Sequence, residues 1–114
     1  MLEPEIVHRR RCLVPATSWF EWLTNPAAPK CKKTKHRLMP VIHGPWTLAG
    51  LWEKFTLDGT GAVVVVTVAA DPTVAVVHDR MPAIVGLDAA LAWLAGTVEE
   101  AMGVVQPVSV VLLA

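Results

Sequence analysis

The sequence predicts a mixed α+β fold: a strand-rich mixed sheet, open or closed only as an incomplete barrel, with two or three short helices. Three observations carry this. Ala62-Val63-Val64-Val65-Val66-Thr67-Val68 holds six β-branched residues in seven, and branching at Cβ restricts χ1 and crowds a helix while suiting a strand. Helix signals are few and local, at Asp71-Pro72, Leu87–Leu94 and Thr97–Glu100. Turn residues at Pro15, Asn25-Pro26, His43-Gly44-Pro45 and Asp58-Gly59 cut the remainder into short segments.

From the N-terminus, Arg9-Arg10-Arg11 leads into a short apolar strand that Pro15 ends or confines to an edge. Ser18-Trp19-Phe20-Glu21-Trp22-Leu23 reads as a strand, with Trp19, Glu21 and Leu23 on one face and Phe20 and Trp22 on the other. Thr24 to Lys35 reads as a Pro/Lys-rich loop, Arg37 to His43 as a strand, and Trp46 to Phe55 as another strand in which Gly50 marks a bulge or a close approach. Asp58-Gly59-Thr60-Gly61 is a hairpin turn into the valine run. That run lacks polar alternation, so both of its faces are expected to be covered.

Asp71 before Pro72 starts a short helix, with the acid as N-cap and proline in the first turn. Ala83-Ile84-Val85 is a short strand. Leu87, Ala90, Leu91 and Leu94 recur at helical spacing, so Leu87 to Ala95 is a helix that Gly96 ends. Thr97-Val98-Glu99-Glu100 matches a capping box for one more short helix, to about Gly103. The tail from Pro107 to Ala114 is apolar. The 114 residues make one domain.

Charge is zero overall but divided. Residues 1–37 hold eight Lys/Arg against three acids, and residues 38–114 hold two against seven, or +5 and −5. A basic half suits a polyanion, with nucleic acid the usual one, and a solvated loop is the bland alternative. The acidic N-terminus lacks a signal-peptide core, and no apolar run reaches the roughly 20 residues of a membrane span. The chain therefore reads as cytoplasmic, with no membrane partner. Cys12 and Cys31 form no disulfide framework, and His36, His43 and His78 have no ligand-like short spacing, so no metal and no cofactor are expected.

Two places carry candidate chemistry. Glu21 sits among three aromatics, which predicts a desolvated carboxyl with a raised pKa, suited to acid/base work; an edge-strand glutamate facing water is the alternative. His78-Asp79-Arg80-Met81-Pro82 follows four apolar residues, where catalytic groups are often mounted. A histidine capping a helix beside a surface Asp–Arg pair is the alternative there.

Three segments together resemble the SRAP family, the SOS-response-associated peptidase-like proteins also described as abasic-site processing proteins. They are Arg10-Arg11-Cys12-Leu13-Val14-Pro15-Ala16 through Phe20-Glu21-Trp22, then Ala49-Gly50-Leu51-Trp52-Glu53, then His78-Asp79-Arg80-Met81-Pro82. The helix at Ala89–Leu94 and Pro107-Val108-Ser109 are similar to the family's later segments, so the likeness runs from about Arg9 to Ser109.

The resemblance implies a partner and a reaction. The partner is single-stranded DNA with abasic sites, which would make the protein nucleoid-associated. In the family an N-terminal cysteine, freed of the initiator Met, attacks the sugar aldehyde and closes a thiazolidine with its α-amine. The family's glutamate falls on Glu21, for proton transfer, and its histidine on His78, at the sugar or the polar end of the site. Arg80 falls on an arginine near the DNA backbone, Arg10 and Arg11 add charge for phosphates, and Trp22 can stack on unpaired bases.

This chain begins Met1-Leu2 rather than Met-Cys. It is therefore expected to be a partial SRAP domain, truncated at the N-terminus and the C-terminus, that forms no covalent adduct unaided. Cys12 lies inside a strand with no free α-amine, and Cys31 lies in the basic loop. The alternative is a non-catalytic remnant stabilised as a homo-oligomer, or by a partner, through exposed strands.

Overall fold

The computed structural model describes residues 10–24, 33–54, 57 and 59–113. The architecture is mixed α+β, strand-rich, with sheets that do not close. The strands are β1 (Arg11–Pro15), β2 (Trp19–Thr24), β3 (Lys33–Pro40), β4 (Trp46–Lys54), β5 (Gly61–Val65), β6 (Thr67–Ala69), β7 (Arg80–Pro82), β8 (Ile84–Gly86) and β9 (Val110–Leu112). The helices are α1 (Pro72–Ala75), α2 (Ala90–Ala95) and α3 (Val98–Val104). A 3-10 turn, Leu87–Ala89, leads into α2.

Strand β4 is the hub of the four-stranded sheet. It pairs with β1 and β5 in the order β1-β4-β5, and its first residues also pair with β8. Strands β2, β3 and β9 form a second sheet with β3 in the centre, and β6 and β7 form a two-stranded ribbon. Every pairing is antiparallel. Gly50 lies opposite Cys12 on one side and Val65 on the other. A Cβ there would stand 2.9 Å from Val14 Cγ2, 3.0 Å from Cys12 Sγ and 3.1 Å from Val63 Cγ1, so glycine permits the close approach expected of it. The core is drawn from all three sheets and from the helices, and its largest fully buried side chains are Trp93, Leu38, Met81, Val74 and Val85.

The local helix signals act as expected. Asp71 caps α1 by accepting from the Thr73 N–H at 3.2 Å, with Pro72 in the first turn. Thr97 and Glu100 form a reciprocal capping box, the Glu100 N–H donating to Thr97 Oγ1 at 3.1 Å and the Thr97 N–H to Glu100 Oε1 at 3.0 Å.

Two expectations are corrected, and the buried face of α2, left open by the sequence, is assigned. The valine run is not one strand covered on both faces. It breaks at Val66, whose N–H donates to Ala49 O at 2.9 Å and whose carbonyl accepts from Ala83 at 2.8 Å. Its first half, β5, is a sheet edge with Val63 54% exposed, and its second half joins the ribbon. The leucine stripe marks a helix but not its buried face: Leu87, Leu91 and Leu94 are exposed, and Trp93 is fully buried. The larger indole faces inward, with its N–H bonded to Cys12 O. Finally, β3 begins at Lys33 rather than Arg37 and ends at Pro40, because the backbone from Lys33 onward pairs with β2 through Thr24↔Lys33.

Candidate active site

Period-two alternation along β2 divides its side chains. Trp19 is buried and Glu21 half-buried on the inner face, while Phe20 and Trp22 are exposed on the outer one. Burial pushes the Glu21 carboxyl above the usual glutamate range, and the positive charge of His78 acts in the opposite direction. Glu21 therefore keeps its proton to a higher pH than a solvated glutamate. On the outer face the Lys35 ammonium lies 4.0 Å from the Phe20 ring centre and 5.6 Å from that of Trp22.

His78 ends the segment after α1. Its backbone N–H donates to Val74 O at 2.8 Å, a carbonyl it shares with Val77. Its Nδ1 lies 3.1 Å from both the Arg80 N–H and the Arg80 carbonyl oxygen, accepting from the first when bare and donating to the second when protonated. Asp79 Oδ1 lies 3.4 Å from the same Nδ1 and supports the charged ring. Next along β7, Arg80 is exposed but held: its Nη2 donates to Thr67 O at 2.7 Å and its Nε to Thr67 Oγ1 at 3.3 Å. Met81 anchors the segment in the core, its sulfur accepting from the Asp71 N–H at 3.3 Å.

Arg10 and Arg11 separate. The Arg10 guanidinium lies 5.2 Å from the Trp52 ring centre. Arg11 turns inward, donating to the carbonyls of Gly96 and Thr97 and lying 5.8 Å from the Trp93 ring centre. The Cys12 thiol packs against Gly50, and burial pushes its pKa up, which disfavours the thiolate. Cys31 lies outside the described residues. Among the described residues no group of three or more His, Cys, Asp or Glu side chains is placed to hold a metal ion.

The family model described as "SOS response associated peptidase (SRAP)" matches residues 4–112. The chain belongs to the SRAP family. Two solved structures share the SRAP chain's fold. A protein from Bacteroides thetaiotaomicron superposes with a TM-score of 0.75 at 19% identity, over 98% of this chain and 54% of its own. One from Bordetella bronchiseptica gives 0.75 at 21% identity, over 96% of this chain and 57% of its own. The chain thus spans about half the length of these neighbours. No curated protein matches it at a significant level.

Within this SRAP fold the structure brings Glu21 and His78 near enough for their charges to interact, and sets Phe20, Trp22 and Lys35 on the other face of the same hairpin. It does not bring Arg11 to that hairpin. One neighbour of Glu21 was not singled out for this site from the sequence. His36 lies directly opposite it in the β2–β3 register, and the signal was there: period two from the buried Leu38 places His36 on the inner face.

Proposed function

We propose that this chain works as an SRAP-type abasic-site processing module that binds single-stranded DNA and acts in the response to DNA damage at the nucleoid. The supporting observation is a desolvated Glu21 whose carboxyl feels the charge of His78. An abasic sugar in its open form presents an aldehyde, and condensation at an aldehyde needs proton transfer to and from oxygen. A carboxyl with a raised pKa and an imidazole held by one nitrogen supply that transfer. Glu21 is the acid/base group, and His78 acts at the sugar or at the polar end of the site.

The DNA-binding residues are assigned from charge and stacking. Trp22 is an exposed stacking platform. Arg80, with its side chain steadied by Thr67, meets the flanking phosphates, and Arg10 extends the basic track. Arg11 adds charge rather than hydrogen bonds, since both of its terminal nitrogens donate to backbone carbonyls, of Thr97 and Gly96. The Cys12 thiol is protonated and packed against Gly50. Proton transfer and binding therefore come from this chain without a crosslinking thiolate from Cys12.

Fluorescence anisotropy with a labelled single strand tests the binding. Affinity should fall linearly on a log–log plot against salt, and Arg80→Ala should reduce the slope. A salt-independent or absent interaction would contradict it. On a denaturing gel, an oligonucleotide with one abasic site should run free after mixing; a shifted band that survives Cys12→Ala and Cys31→Ala would overturn the non-covalent assignment.

One observation favours a second reading, a non-catalytic remnant completed by another chain. Val63 and Val64 stand exposed on the β5 edge, and such edges pair with strands of other molecules. Light scattering distinguishes the two: concentration-dependent size supports the remnant, and a monomer that binds DNA excludes it.

A further inference from the structure

The inner face of the β2–β3 hairpin holds polar atoms that the fold leaves without partners. Both ring nitrogens of His36 are buried without a hydrogen bond, and so is the indole Nε1 of Trp19. Buried polar atoms are nearly always paired in native proteins, and the exceptions need an explanation such as a catalytic role. His36 is the direct cross-strand partner of Glu21, a placement that sets the two Cβ atoms about 4.5–5.5 Å apart. At that Cβ separation a carboxyl and an imidazole on the same face are within reach of each other.

The surroundings favour this pair over others. The next inward pair toward β9 is Trp19 with Leu38, both buried. Lys35 lies over the outer-face rings of Phe20 and Trp22. The outer-face Arg37 donates through Nε to Ser18 Oγ at 3.1 Å. The charged group that reaches Glu21 from another element is His78, and its Nδ1 is already engaged by the Arg80 N–H.

We propose that His36 is a positioning residue for Glu21, holding its carboxyl and exchanging a proton with it. This rests on Glu21 being the acid/base group of the site. A neutral imidazole offers one donor and one acceptor, so it complements the carboxyl in either state. When Glu21 is protonated, its O–H donates to the bare ring nitrogen. When Glu21 is ionised, the ring N–H donates to the carboxylate. In the transfer the Glu21 O–H bond breaks, its electron pair stays on oxygen, and an N–H bond forms on His36, which leaves a carboxylate and an imidazolium. The reverse step restores both. Glu21 thus has two imidazoles to draw on: His78, held by the backbone of Arg80, and His36, whose ring nitrogens have no partner in the fold.

The test is an NMR titration of the full chain without DNA, with 13C-labelled glutamate and 15N-labelled histidine. The Glu21 carboxyl and the His36 ring should share an inflection, as coupled groups do. In His36→Gln the Glu21 midpoint should move by about one pH unit, the size expected of a charge at this separation. The reciprocal measurement reads the His36 ring in Glu21→Gln, where an equal shift is required by linkage. It also covers the case in which His36→Gln fails to fold. His78→Gln should leave the shared inflection in place. Superimposable Glu21 curves in the parent and His36→Gln, or a His36 ring that titrates identically in Glu21→Gln, overturn the proposal. Because no DNA is present, a failed coupling is distinct from a failure to recognise abasic sites.

Discussion

Trp93→Phe tests how α2 is seated on the sheet. Trp93 is fully buried, and its Nε1–H donates to the carbonyl of Cys12 at 2.7 Å, tying α2 to the edge strand β1. Phenylalanine keeps most of the ring but not the donor. Leaving the carbonyl oxygen without this partner costs about 1–3 kcal/mol. The void where the second ring stood adds about 1 kcal/mol. The sum is about 3 kcal/mol, or about 12 °C in Tm at about 4 °C per kcal/mol for a domain of this size. Urea unfolding followed by far-UV circular dichroism measures it, with an unchanged m-value as the sign that only stability moved. Leu91→Ser is the control: Leu91 is 74% exposed, so its loss should stay within about 0.5 kcal/mol. A Trp93→Phe cost below about 1 kcal/mol, or a Leu91→Ser cost above it, would refute the assignment of the buried face.

Glu21, Thr97 and Gly50 give three further tests of stability. Burial raises the Glu21 pKa in the fold, so its stabilising contribution is present below the unfolded value of about 4.3 and is lost as pH rises through the raised folded value. Glu21→Gln should therefore resist urea better than the parent at neutral pH and lose that advantage in acid, by equilibrium unfolding at both. Bonds from the Thr97 backbone and side chain lower the Glu100 pKa, so that contribution is present above the unfolded value and lost as pH falls through the folded one. Thr97→Ala should cost about 1 kcal/mol at neutral pH and flatten the acid limb of the stability profile. Gly50→Ala pushes a methyl into Val14, Cys12 and Val63 and should cost about 1–3 kcal/mol in the same assay.

Short-range chemistry was legible in the sequence. Asp71-Pro72 and Thr97–Glu100 act through bonds within one turn, so their effects do not depend on distant packing. The alternation of Trp19, Phe20, Glu21 and Trp22 likewise gave the correct faces of β2 and the raised pKa of Glu21. What the chain buries was harder to read. Hydrophobic runs state that a segment is apolar, not that a partner covers it: the valines of β5 were assigned cover that the described residues do not supply, and the leucines around α2 gave the helix but not its buried face. Pairings between distant residues were equally hidden. Arg11 is a basic residue in sequence and a carbonyl ligand in space, 85 residues from Gly96. His36 becomes meaningful only once the β2–β3 register sets it across from Glu21.

The most direct measurement is the affinity for a single strand carrying one abasic site relative to the intact strand, by anisotropy at fixed salt. The parent should bind the abasic strand several-fold more tightly. Glu21→Gln and His78→Ala should remove that preference and leave affinity for the intact strand unchanged, while Trp22→Ala should weaken both complexes. Equal affinity for the two strands in the parent, or a preference that survives both Glu21→Gln and His78→Ala, would contradict the assignment of Glu21 and His78 as the abasic-site readers.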